Sequence, residues 1–153
     1  MSLLSQSTIL DKISLSGVGI HTGKKVNINI LPSSPNSGII FKRIDLNSNN
    51  IVIPNFENVS EATLCTTISN QHGVKVSTIE HLMAAFLGTG IDNAIVELDS
   101  QEIPILDGSA LEFVKILRKT GLKISDVPIK LIKLNNRVEY RDGNKFISIA
   151  KSN

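Results

Sequence analysis

Tryptophan is absent from the 153 residues, tyrosine occurs once, and aromatics make up only 4% of the chain. Hydrophobic residues still account for 41%, so a core built from this sequence must rest on Ile, Leu and Val. There is one cysteine, Cys65, which excludes an intrachain disulfide and fits a reducing compartment. Charge of one sign is lacking too: 16 Lys and Arg stand against 14 Asp and Glu, a net of +2. No basic run exceeds the Lys24-Lys25 doublet, so the charge pattern points neither to nucleic acid nor to a membrane surface. No apolar run is long enough to cross a bilayer and no signal-peptide pattern is present. These absences lead to the expectation of a soluble cytoplasmic protein with no integral membrane segment.

What is present is periodicity. "KVNINIL" (25–31) places Val26, Ile28 and Ile30 on one face and Asn27 and Asn29 on the other, the pattern of a half-buried strand. "STILDKISLSG" (7–17), "GIIFKRI" (38–44), a short "IVIP", "ATLCTTIS" (62–69) and "DNAIVELD" (92–99) read as further strands. A helix is expected from Ser77. Ile79, Leu82, Met83, Phe86 and Leu87 recur there at helical spacing, and Gly88 or Gly90 ends it. A second helix runs from Ser109 to about Thr120, with Phe113, Ile116 and Leu117 inward, cations near its C-terminus and Gly121 as its stop.

The pattern changes at Val127-Pro128. "IKLIKLNN", "RVEYRDG" and "KFISIA" read as short strands, with Asp142-Gly143 as a hairpin turn. The expected architecture is α+β: a two-layer sandwich of a mostly antiparallel sheet with two helices on one face. It occupies residues 1–126, and residues 127–153 open a second, truncated domain of similar kind. The alternative is that the last strands complete the first domain.

The candidate functional residues each have a structural reading beside the chemical one. Ser77-x-x-Glu80 and Ser109-x-x-Glu112 have the spacing of capping boxes. His81 lies off the apolar stripe, on the same side as the small residues Ala85 and Gly88, where another body has room to approach. Spacing alone favours a packed or surface histidine there. A catalytic zinc site needs about three protein ligands and a water, and no H-x-x-x-H or C-x-x-C spacing occurs. "SGVGIHTGKKV" (16–26) suggests phosphate binding but has Thr22 where G-x-G-x-x-G needs glycine, and it feeds a strand rather than a helix. A tight turn is the better reading, with His21 and the lysine pair still able to face a ligand. Cys65 reads as a buried small residue, and Asp107 as an acid serving a loop turn.

In order, "SGVGIHTGKKV", "TLCTTIS", "STIEHLMAAFLGTGIDNAIVELDSQEIPILDGSA" and "VEYRDGNKF" resemble the N-terminal half of the UDP-3-O-acyl-N-acetylglucosamine deacetylase family. These are zinc amidases of lipid A biosynthesis in Gram-negative bacteria. The resemblance implies two back-to-back α+β domains with the active site between them, and a UDP-sugar lipid as substrate. It implies that His81 is the one zinc ligand of the first domain and that Glu80 is the general base. It places the remaining ligands, a His and an Asp on an H-x-x-x-D helix, in the second domain, together with an oxyanion-stabilising Thr and another catalytic His. Lys145 resembles a lysine contacting the substrate diphosphate. His21, Leu64 and Cys65 match segments near the cleft, and Asp107 a supportive acid. The 153 residues alone are then catalytically incomplete and need the C-terminal domain of the same enzyme as partner. The rival readings are a non-catalytic interaction module and a nucleotide-binding module.

Overall fold

The structure is a computed structural model and describes residues 5–152. The elements in chain order are β1 (Ser5–Ile9), β2 (Ile13–Val18), β3 (Lys25–Pro32), β4 (Ile39–Arg43), β5 (Ile51–Val52), β6 (Val59–Glu61), β7 (Thr67–Ser69) and β8 (Lys75–Val76). They continue with α1 (Glu80–Thr89), β9 (Ala94–Leu98), α2 (Leu111–Thr120), β10 (Leu122–Pro128), β11 (Val138–Asp142) and β12 (Lys145–Ile149). The fold is α+β, as the periodicity predicts.

Five strands form the main sheet in the order β2-β3-β9-β4-β5. Only the β4–β9 pair is parallel, and the other ladders are antiparallel. Alternation decides what each strand buries. Val26, Ile28 and Ile30 of β3 and Ala94, Val96 and Leu98 of β9 all enter the core, while Asn27 stays outside. The helices meet that same face. Leu82, Ala85 and Phe86 of α1 and Phe113 and Leu117 of α2 are buried in one cluster with these strand residues. Burying a side chain such as Leu82 or Phe86 contributes about 2–3 kcal/mol each.

Glycine ends α1 because the chain must turn left-handed there. Gly90 has φ 78° and donates to Leu87 O, and Ile91 N donates to Phe86 O at 2.9 Å. This is the Schellman pairing, closed by the contact of two buried side chains, Ile91 and Phe86.

Several expected boundaries move. Residues 7–17 are not one strand: the chain turns at Leu10–Lys12, so that β1 pairs with β10 and β2 with β3. Of 62–69 only Thr67–Ser69 is strand, and 129–136 is irregular. Leu87, placed on the apolar stripe by spacing, is 85% exposed, whereas Ala85, placed on the open side, is fully buried. The buried face of α1 is therefore rotated toward Ala85. Strand β10 remains tied to β1 as far as Pro128, whose carbonyl accepts from Gln6 Nε2 at 2.9 Å. Beyond it, β11 and β12 form a separate two-stranded sheet with every residue exposed.

Candidate active site

Helix α1 begins at Glu80, not Ser77, and the reason lies in the two residues between. Thr78 adopts φ 57°, a left-handed conformation that places Ser77 outside the helix. Ser77 instead bridges residue 102: its N–H donates to Gln101 O at 2.8 Å, and Ile103 N donates to Ser77 O at 3.0 Å. Its hydroxyl donates to Gln101 O. The expected capping box at Ser77 and Glu80 is thus not formed. Glu80 Oε2 accepts from the N–H of Thr66 at 3.1 Å, and Thr66 O accepts from Ile79 N at 3.4 Å. One residue of the 62–66 segment, Thr66, clamps the start of the helix through its N–H and its carbonyl. Glu80 is half-buried, with Oε1 carrying no hydrogen bond among the described residues. His81 follows, half-exposed, and its ring has no hydrogen-bond partner among the described residues.

The second box is also replaced. Ser109 Oγ accepts from Leu111 N at 3.0 Å, Asp107 accepts from both the N–H and the hydroxyl of Ser109, and Glu112 pairs with Lys115 at 2.7 Å. The Ser109 amide holds the exposed Asp107 carboxyl below the usual aspartate range. Asp107 serves its turn, as its sequence context suggests.

The glycine-rich turn has an occupant. Glu102 is fully buried, and its carboxylate accepts from His21 N at 2.9 Å and Thr22 N at 2.8 Å. Thr78 Oγ1 donates to the same carboxylate at 3.1 Å. Gly19 is required beside it, because a Cβ there would collide with the carboxylate. Burial pushes the Glu102 carboxyl up, but the His21 and Thr22 amides and the two threonine hydroxyls outweigh it and leave it below the ordinary glutamate range. Amides that would cradle a phosphate are used internally, which disfavours the nucleotide-binding reading. Sequence reasoning missed Glu102. The available signal was an acid beside "IPIL" in an otherwise apolar segment.

These contacts gather most of the candidates. Glu80 and His81 adjoin the segment carrying Leu64, 82% exposed, and Cys65. Cys65 is half-buried rather than buried, with its thiol 3.7 Å from Thr67 Oγ1. His21 joins through Glu102. Lys145 does not: it stands exposed on β12, in the separate hairpin. A concavity of about 450 Å³ between β1, residues 32–35 and β10 is bordered by none of the candidates. Among the described residues no group of three or more His, Cys, Asp and Glu is placed to hold a metal ion. His81 carries an imidazole nitrogen of the kind that can bind zinc, and among the described residues no two further such groups join it.

The family model described as LpxC: UDP-3-O-acyl N-acetylglycosamine deacetylase matches residues 6–153. The chain belongs to the LpxC family. All the candidate residues, from His21 to Lys145, fall inside the matched span. Similar proteins include those named UDP-3-O-acyl-N-acetylglucosamine deacetylase in Shewanella sp. (strain ANA-3) and Shewanella baltica (strain OS155 / ATCC BAA-1091). Each is 42% identical over 147 residues, covering 96% of this chain and 48% of the relative. The chain thus spans about half the length of the LpxC relatives it matches.

Proposed function

We propose that this chain supplies the general base and one zinc ligand of a deacetylase that hydrolyses the acetamide of UDP-3-O-acyl-N-acetylglucosamine, releasing acetate and the free amine. The observation that carries the reading is the Glu80–His81 pair at the start of α1 in a chain of this family: a carboxylate steadied at one oxygen beside an imidazole with no hydrogen-bond partner among the described residues. Zinc, when bound, brings the pKa of a ligated water to about 7. His81 is the donor this chain offers to it, and the other ligands lie outside these residues.

The chain's own chemistry follows from Glu80. The Thr66 amide holds Oε2, so Oε1 is the oxygen available to take a proton from water as its oxygen attacks the acetamide carbonyl carbon. Returning that proton toward the amine nitrogen lets the C–N bond break. Holding base and ligand on successive residues of one helix fixes their separation without a flexible loop. His21, Leu64 and Cys65 border the cleft, Asp107 supports the start of α2, and Lys145 meets the substrate diphosphate. Residues 127–153 open a second domain of similar kind, whose remainder completes the cleft. The reaction belongs to lipid A biosynthesis in the cytoplasm of a Gram-negative bacterium.

The test is reconstitution. The 153-residue chain alone should release no acetate from the UDP-sugar substrate. The same chain joined to the segment equivalent to the remaining half of its relatives should hold about one zinc and release acetate. Turnover by the chain alone, or none after completion with zinc in place, contradicts the assignment.

A further inference from the structure

Glu102 is the only buried ionisable side chain among the described residues, and the chemistry above does not use it. It has no cationic partner among the described residues. Its charge is met there by the His21 and Thr22 amides and by threonine hydroxyls. A carboxylate in such a place costs more than an apolar residue of similar size, and its buried neighbours Ile103 and Pro104 are apolar. What the carboxylate adds is direction.

Oε1 accepts from both His21 N and Thr78 Oγ1, while Oε2 accepts from Thr22 N. One oxygen therefore joins the His21 turn to the residue two before Glu80. Thr78 is β-branched and sits at φ 57°, a conformation its surroundings must enforce. The main-chain bridges of Ser77 to residues 101 and 103 place the strand before the kink. The bond from Thr78 to Glu102 fixes the kink itself, and the kink sets where α1 begins.

We propose that Glu102 is a positioning residue that locks the His21 turn and the start of α1 into one rigid unit, so that Glu80 and His81 keep the mutual aim that deacetylation requires. This rests on the deacetylase reading above. The decisive variants lie at Thr78, where the hydroxyl is removed at constant shape or kept. In the zinc-loaded polypeptide completed to the length of its relatives, Thr78→Val should lower kcat about 10-fold or more with KM within about threefold, and Thr78→Ser should stay within about threefold of the parent. Glu102→Gln, which turns an amide donor toward amide donors, should lower kcat about 100-fold with the same KM behaviour. In the 153-residue chain it should speed amide exchange at His21 and Thr22 by about 100-fold while β3 and β9 stay protected. Val52→Ala, in the edge strand β5, should lose stability but keep kcat. If Glu102→Gln does not fold, the two Thr78 variants decide. An unchanged kcat in Thr78→Val, or an equal loss in Val52→Ala, overturns the proposal. Glu80→Ala runs beside them: if it too retains turnover, the deacetylase reading fails and not merely the positioning role.

Discussion

A single residue, Thr66, decides how Glu80 is presented. Its N–H donates to one carboxylate oxygen and its carbonyl accepts from Ile79 N, so the Glu80 carboxylate is steadied from outside its own helix. This sets a contrast between the two neighbours: the carboxylate is held, and the imidazole has no hydrogen-bond partner among the described residues. Glu102 shows the same economy of means in its bonds from backbone amides and threonine hydroxyls, and it carries a pH signature. Its folded pKa lies below the ordinary 4.5, so the stabilisation it contributes is present above that value and is lost as pH falls through the folded pKa. Glu102→Gln should cost about 3 kcal/mol at pH 7. The gap from the parent should narrow as the pH drops below 4.5. Urea unfolding at both pH values checks this, and a gap that widens in acid contradicts it. These residue-scale facts were the least legible in the sequence. The Ser77 and Ser109 spacings promised capping boxes, but a left-handed Thr78 and an Asp107 turn redirected both serines. The left-handed Thr78 has no local signature, because it depends on backbone strain and on a partner distant in the chain, whereas the Asp107 turn is a local contact with Ser109 that competes with the box.

At the scale of elements, the alternating strands read true and the helix faces read approximately. Val26, Ile28 and Ile30 are all buried as alternation requires, because a strand between two neighbours has one core face and no freedom to rotate. Helix α1 has that freedom, and it turns Ala85 inward and leaves Leu87 outside. Two substitutions measure this rotation. Phe86→Ala should destabilise by about 3–5 kcal/mol through the cavity it leaves. Leu87→Ala should fall within about 0.5 kcal/mol of the parent despite its equal rank in the sequence pattern. Equal losses in urea unfolding would show that the helix packs as the spacing alone suggests. The segment 62–66 was misread as strand because its β-branched composition fits a strand, whereas its backbone groups go to Ile79 and Glu80.

At the scale of the whole molecule, the chain divides its contacts unevenly. The elements from β1 to β10 are tied by ladders or hydrogen bonds to the main body, whereas among the described strands β11 and β12 pair only with each other. A lone two-stranded hairpin is marginal in water. Amides of 138–149 should therefore exchange at least about 1000-fold faster than those of β3 and β9 in the 153-residue chain. They should become protected when the polypeptide is completed. Protection of the hairpin in the chain alone would place it in the first domain instead. The sequence break at Val127 lies within one residue of the end of β10. The α+β layering was legible, because it follows from composition and period. Of the candidate site, only the adjacent Glu80 and His81 were legible as a pair, since no group of three or more His, Cys, Asp and Glu gathers among the described residues. The most direct measurement is zinc content and acetate release for two single variants of the completed polypeptide. His81→Ala should lose the metal and the activity together, and Glu80→Ala should keep the metal while its rate falls at least about 100-fold. Variants that both hold zinc and both turn over like the parent would contradict the account.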